Sequence, residues 1–127
     1  MKRQILTILS VILLIFLCGC ESKPGDISEQ HYNYGIKALE IVDQYLDYKM
    51  TADEAASALN ELLKRENELP ETEFGDTNHA NNYHVEINTY LMCRNIERQS
   101  YSADAETFNS IKETRNSIAR ALGEKER

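Results

Sequence analysis

Apolar residues recur at three- and four-residue steps in four stretches of this chain, which is the spacing of one face of a helix. In the first, Tyr34, Ala38, Ile41, Tyr45 and Tyr48 trace a stripe that Leu39, Val42 and Leu46 widen. Asp26 or Ser28 can cap its start, with Glu29 the reciprocal partner of an Asp26 cap. Gly35 interrupts this helix at a cost of about 1 kcal/mol relative to alanine, so a close helix contact is expected there. The second stretch opens on Thr51-Ala52-Asp53-Glu54, a capping box, and carries Ala52, Ala55, Leu59, Leu62 and Leu63 until Pro70 stops it. The short turn at Met50-Thr51 makes these two helices an antiparallel hairpin.

Residues 71–77 are mostly polar and read as a loop. Asp76 or Thr77 then caps a third helix, whose buried side is expected to hold Tyr83, Ile87, Tyr90 and Leu91, with Cys93 and Ile96 fitting less cleanly. Ser102 is the expected cap of a fourth helix, with Ala105, Phe108, Ile111, Arg115, Ile118 and Leu122 on its stripe and Gly123 at its left-handed end. Thr51-Ala52-Asp53 echoes Ser102-Ala103-Asp104, and Asn33-Tyr34 echoes Asn82-Tyr83; duplication and ordinary cap chemistry both produce such echoes. The pattern predicts an all-α fold, a small four-helix bundle of two antiparallel helical hairpins. Leu39, Val42, Leu59, Leu62, Ile87, Leu91, Phe108, Ile111 and Ile118 are expected in its core.

Ahead of this lies a different pattern. Lys2-Arg3 precedes an apolar run from Ile5 to Leu17, too short for a spanning helix of about 20 residues, and Leu17-Cys18-Gly19-Cys20 follows. The segment resembles the lipobox signal peptide of bacterial lipoprotein precursors, with Leu17, Gly19 and Cys20 at the motif positions. That resemblance implies cleavage before Cys20, a diacylglyceryl group on its thiol, and a protein held on the extracytoplasmic face of the cell membrane by its lipid. The domain boundaries that follow are a signal peptide over 1–19, the lipidated cysteine and tether over 20–27, and a helical domain over 28–127. The stretch from Ala38 to Leu63 is also similar to small uncharacterised lipoproteins of Gram-positive bacteria, a likeness that implies no activity.

Removing residues 1–19 from the 127 leaves 108, and the loss of Lys2 and Arg3 moves the formal charge from −7 to −9. So negative a balance argues against nucleic acid as a partner, which needs a basic face to neutralise phosphates, and against lying flat on anionic lipid; no nucleic-acid partner is expected. With Cys18 cut away and Cys20 acylated, Cys93 stands alone, which rules out an internal disulfide; it is expected as a small buried apolar side chain, a reactive thiol being the sharper alternative.

The sequence is poor in catalytic patterns. It has no Gly-x-Ser-x-Gly elbow, phosphate-cradling glycine loop or paired metal cysteines. His79 and His84 are five apart and point away from each other on a helix, and Asp76, Asn78 and His79 lack the form of a calcium loop. His31 stands among polar neighbours and is expected to be exposed. Glu66, Glu68, Glu71, Glu73 and Asp76 gather around the central loop as a solvated acidic patch or a docking surface for a basic partner. Seven tyrosines and no tryptophan leave Tyr32 and Tyr48, near the ends of the first helix, as the aromatic candidates for a partner. The expected function is that of a membrane-anchored, non-catalytic interaction or accessory module for a protein or cell-wall partner, with no cofactor or metal. The alternative is a small-ligand or cation-binding lipoprotein using a groove near Asp76, His79 and Tyr83. Glu68, Glu71, Glu73, Asp76, Tyr32 and Tyr48 are the candidate interaction residues, and Cys20 the lipidation site.

Overall fold

Thr51 accepts a hydrogen bond from the amide of Glu54 at 3.2 Å, while the Glu54 carboxylate accepts from the amide of Thr51 at 2.8 Å. The capping box read from the sequence is therefore formed, and it starts the second of four helices in the computed structural model, which describes residues 23–127. The expected signal peptide over 1–19 and the expected lipidation site Cys20 lie outside the described residues. The helices are α1 (Glu29–Leu46), α2 (Ala52–Lys64), α3 (His79–Tyr101) and α4 (Ala105–Leu122), with a 3-10 turn (Glu66–Glu68) after α2. Connections of five residues (47–51) and three residues (102–104) force α1/α2 and α3/α4 to run antiparallel. The fold is all-α, as the apolar spacing predicts, and among the described residues no helix is long and apolar enough to cross a membrane.

α1 and α3 meet across the middle of the bundle, with α2 and α4 flanking them. Gly35 makes that approach possible. A Cβ at Gly35 would lie 2.9 and 3.0 Å from the two methyls of Leu122 on α4 and 3.1 Å from Cγ1 of Val85 on α3. Leu39, Val42, Leu59, Leu62, Ile111 and Ile118 are buried as expected. Arg115 is also buried. Its guanidinium donates to both oxygens of Asp43 on α1, Nε at 3.0 Å and Nη2 at 2.9 Å, and its Nη1 donates to the Lys125 carbonyl at 2.6 Å. Burial alone would raise the Asp43 carboxyl, but the hydrogen bonds and charge of Arg115, helped by Arg127, hold it below the usual carboxylate range. The C-terminal tail thus folds back along α1, where Arg127 pairs with Asp43 at 3.2 Å and also with Asp47.

Several local expectations are corrected. α3 is rotated relative to its expected face: Tyr83, Tyr90 and Leu91 are exposed, and the buried stripe is Asn82, Val85, Thr89, Met92, Cys93 and Ile96. Ile87 and Phe108 are only half-buried. Met92 and Ile96 fill the core; of the polar members of the stripe, Thr89 donates to the Val85 carbonyl one turn back at 2.7 Å, and Asn82 is bonded by Ser28 and Thr72. Ser102 closes α3, and Asp104 caps α4 by accepting from the Thr107 amide at 2.7 Å. α3 itself starts on Asn78 without a side-chain cap, not on Asp76 or Thr77. α2 stops at Lys64, well ahead of Pro70, because the 3-10 turn intervenes and leaves Leu69 extended before the proline. The stretch 20–27, expected as tether, is partly structure: Ile27 is fully buried and Pro24 packs on Gly123, the left-handed end of α4.

Candidate functional site

The bundle has two poles. The N-terminal pole gathers the incoming segment 23–28, the 3-10 turn, the 69–78 loop and the start of α3; the far pole is made of the 47–51 and 102–104 turns.

At the N-terminal pole Ser28 caps α1, its hydroxyl accepting from the amide of His31 at 3.2 Å. The one-turn spacing swings the His31 imidazole under the cap. It is fully buried, with Nδ1 at 2.6 Å from Ser28 Oγ and Nε2 at 2.5 Å from Oε1 of Glu86 on α3. A carboxylate can only accept, so Nε2 carries the proton that faces it. Asn82 completes the lock, accepting from the Ser28 amide at 3.1 Å and donating to Thr72 Oγ1 at 2.7 Å. This corrects the expectation of an exposed His31: the partners come from 54 and 55 residues downstream, across the α1/α3 approach.

Above this lock lies a cleft of about 450 Å³ between the 3-10 turn and the first two turns of α3. Glu66 and Glu71 line one wall, and His79, Tyr83 and Glu86 the other; no lysine or arginine lines it. The Glu66 carboxyl is raised above its ordinary value, first by burial and then by the facing Glu86 charge, with His31 opposing. Tyr34 on α1 is buried and lines a separate hollow with Leu62, Arg65 and Leu69, and its hydroxyl has no hydrogen-bond partner among the described residues. Burial, followed by the charges of Glu66 and Glu86, pushes its pKa up. Among the described residues no three His, Cys, Asp or Glu side chains converge as a metal site would require.

The acidic candidates divide. Glu71 lines the cleft; Glu68 takes a hydrogen bond from Arg65 at 3.3 Å; Glu73 and Asp76 stay exposed in the loop. His79 and Tyr83 reach the cleft, and Asp76 is not part of its lining. Tyr32 is half-buried near the N-terminal pole, its hydroxyl donating to Glu124 at 3.3 Å. Tyr48 sits at the far pole, on the turn beyond the other end of α1, so the two candidate tyrosines do not share a surface.

Tyr48 has the more unusual geometry. α1 ends with the Tyr48 amide donating to the Tyr45 carbonyl at 3.1 Å and the Lys49 amide to the Gln44 carbonyl at 2.8 Å, a pairing that puts residue 48 in the left-handed position. Its φ is 58°, where glycine or asparagine is usual and a bulky residue is strained. The ring is 90% exposed and borders an apolar hollow of about 370 Å³ formed with Tyr45, Met50 and Phe108. Cys93, by contrast, is buried, its thiol 3.8 Å from the Ala56 carbonyl and pushed up to about 11 by burial and the Glu97 charge, a packed side chain and not a reactive one. Sequence comparison with family models and with curated proteins, and comparison with solved structures, finds no match for the chain.

Sequence reasoning missed His31, Asn82, Glu86 and Tyr34 as a group. The available signals were the Ser28-x-x-His31 spacing at a helix start and the regular three-four steps of Asn82, Val85, Thr89, Met92 and Ile96.

Proposed function

We propose that this protein is a lipid-anchored extracytoplasmic lipoprotein that works as a non-catalytic accessory module, presenting its far pole to a protein or cell-wall partner. The observation that carries the reading is Tyr48. A bulky residue in the left-handed region costs about 1–2 kcal/mol, and Tyr48 recovers little of it inside the domain because its ring is 90% exposed. A strained aromatic held in solvent beside a hollow of Tyr45, Met50 and Phe108 suits insertion into, or cover by, another surface. The anchor supports this orientation. Lipid on Cys20 would be separated from the packed Pro24 by only three residues, so the N-terminal pole would face the bilayer and the far pole the exterior. Glu68, Glu71 and Glu73 then lie on the membrane side, where a basic partner would itself be membrane-bound.

The test places a photo-crosslinking phenylalanine analogue at position 48 or, separately, at 73, in cells expressing the full chain. A discrete adduct is expected from position 48, lost when Cys20→Ala releases the protein from the membrane. Tyr48→Gly should raise stability by about 1 kcal/mol by removing the strain while abolishing capture of the partner so identified. No adduct at position 48, or capture unchanged in Tyr48→Gly, refutes the reading.

A further inference from the structure

Tyr34 is only 5% exposed, and its hydroxyl finds no hydrogen-bond partner among the described residues. It lies with the apolar side chains of Leu62 and Leu69 in a hollow of about 220 Å³ at the α1/α2 seam, separate from the acidic cleft. Burial keeps the phenol protonated at neutral pH, so what the buried group lacks is an acceptor. Leaving such a donor unpaired is unfavourable. The rim around it carries more donors. Gln30, Asn33 and Lys37 follow three- and four-residue steps along one face of α1, and Arg65 stands opposite at the end of α2. Lys37 makes no ion pair or hydrogen bond among the described residues, and Arg65 engages only its Nε, with Glu68 at 3.3 Å. In a chain of formal charge −7, two cations here meet one carboxylate.

We propose that this hollow binds a phosphodiester monoanion, seated on the Tyr34 hydroxyl and gripped from its two sides by Lys37 and Arg65. Two positive charges less the one on Glu68 leave a demand for a single negative charge. The donors come from the floor and from both helices, which suits a tetrahedral group with oxygens pointing several ways better than a planar carboxylate. A hollow of about 220 Å³ with apolar Leu62 and Leu69 in its floor has room for a phosphate and a short polyol, whose hydroxyls Gln30 and Asn33 can bond. A soluble glycerophosphodiester and the headgroup of an anionic phospholipid share this chemistry. The net charge of the domain repels both at a distance, so recognition rests on the lined hollow and not on a basic face. The proposal goes beyond the far-pole reading and does not depend on it.

The full chain in maltoside micelles, followed by amide NMR, tests it with glycerophosphoglycerol as the soluble probe, phosphatidylglycerol bicelles as the lipid arm, acetate as a planar anion and glycerol as an uncharged polyol. Saturable shifts at Asn33, Tyr34, Lys37, Leu62 and Arg65 are expected with glycerophosphoglycerol, with the bicelles, or with both, and the arm that saturates at lower concentration names the source. Tyr34→Phe should weaken that binding about tenfold, the loss of one hydrogen bond to a charged group. The same variant should melt no lower than the parent when ligand-free, a split that a purely structural tyrosine would not give. Lys37→Gln, at an exposed position that leaves the fold alone, should weaken binding about threefold. Acetate or glycerol binding as tightly as the phosphodiester, no saturation by about 10 mM, weaker than ordinary ligand affinities, or Tyr34→Phe binding as the parent does, as when water alone fills the hollow, would each overturn the assignment.

Discussion

Replacing Arg115 by Met retains a long unbranched chain in the buried slot on α4 and removes the guanidinium donors that tie α4 to Asp43 on α1 and to the Lys125 carbonyl, while Asn116 and Arg120 still hold the tail. The lost contacts are the paired bonds to Asp43 at 3.0 and 2.9 Å and the bond to the Lys125 carbonyl at 2.6 Å. Breaking a fully buried ion pair from one side costs about 3–5 kcal/mol, because the remaining charge is stranded. Asp43 is only partly stranded: its side chain is 30% exposed and Arg127 stays at 3.2 Å. The expected loss is therefore about 2–3 kcal/mol, a large part of the roughly 5–15 kcal/mol that holds a domain together. Urea denaturation followed by circular dichroism at pH 7 reads it as a lower midpoint at unchanged slope. The acid limb supplies a second check. Asp43 has a lowered folded-state pKa, so its contribution is complete above the unfolded aspartate value of about 4 and disappears as pH falls through the lower native value. The gap between parent and Arg115→Met should consequently be widest near neutrality and shrink below about pH 4. A double-mutant cycle with Asp43→Asn should give a coupling of at least about 1 kcal/mol. A loss under about 0.5 kcal/mol at pH 7, the level of an ordinary surface change, or a gap that stays constant into acid, would refute the assignment of this pair as the α1/α4 tie.

Gly35→Ala should destabilise the protein by about 1–2 kcal/mol, since overpacking against Val85 and Leu122 outweighs a helix-propensity gain of about 1 kcal/mol; a more stable variant in thermal denaturation would show that the helices can part there. Thr51→Ala should lose about 1 kcal/mol with the capping box, measured the same way. Cys93 should resist a thiol-specific reagent at pH 8 in the native protein and react only in denaturant; rapid native labelling would contradict its burial.

Where the sequence carries both an apolar stripe and an unambiguous cap, the fold was legible: the Thr51 box, the α1 stripe through Ala38 and Val42, and Gly123 all stand where the pattern puts them. α3 was misjudged because its core stripe includes Asn82 and Thr89, while larger apolar residues, Tyr83, Tyr90 and Leu91, sit about 100° away on the solvent side. Polar residues become core residues only when something satisfies them, and what satisfies Asn82 is the amide of Ser28, 54 residues earlier. The candidate site was hidden for the same reason. His31, Glu66 and Glu86 are unremarkable singly and acquire meaning only through long-range packing. Tyr48 was named from its place near a helix end, but the left-handed strain that sets it apart is a backbone property that composition does not reveal.

The first and last helices close this bundle on each other: Gly35 lies under Leu122, Pro24 against Gly123, and Asp43 beside Arg127. Contacts between opposite ends of a chain form late and slowly, because everything between must be gathered first. For a chain exported N-terminus first, α1 would emerge without its partner and wait for the final residues to cross. If the chain is exported as proposed, such an order would keep it loose while it crosses the membrane and let it lock only once α4 has followed. Truncating the last five residues would then leave secretion intact and hinder the final locking on the outside.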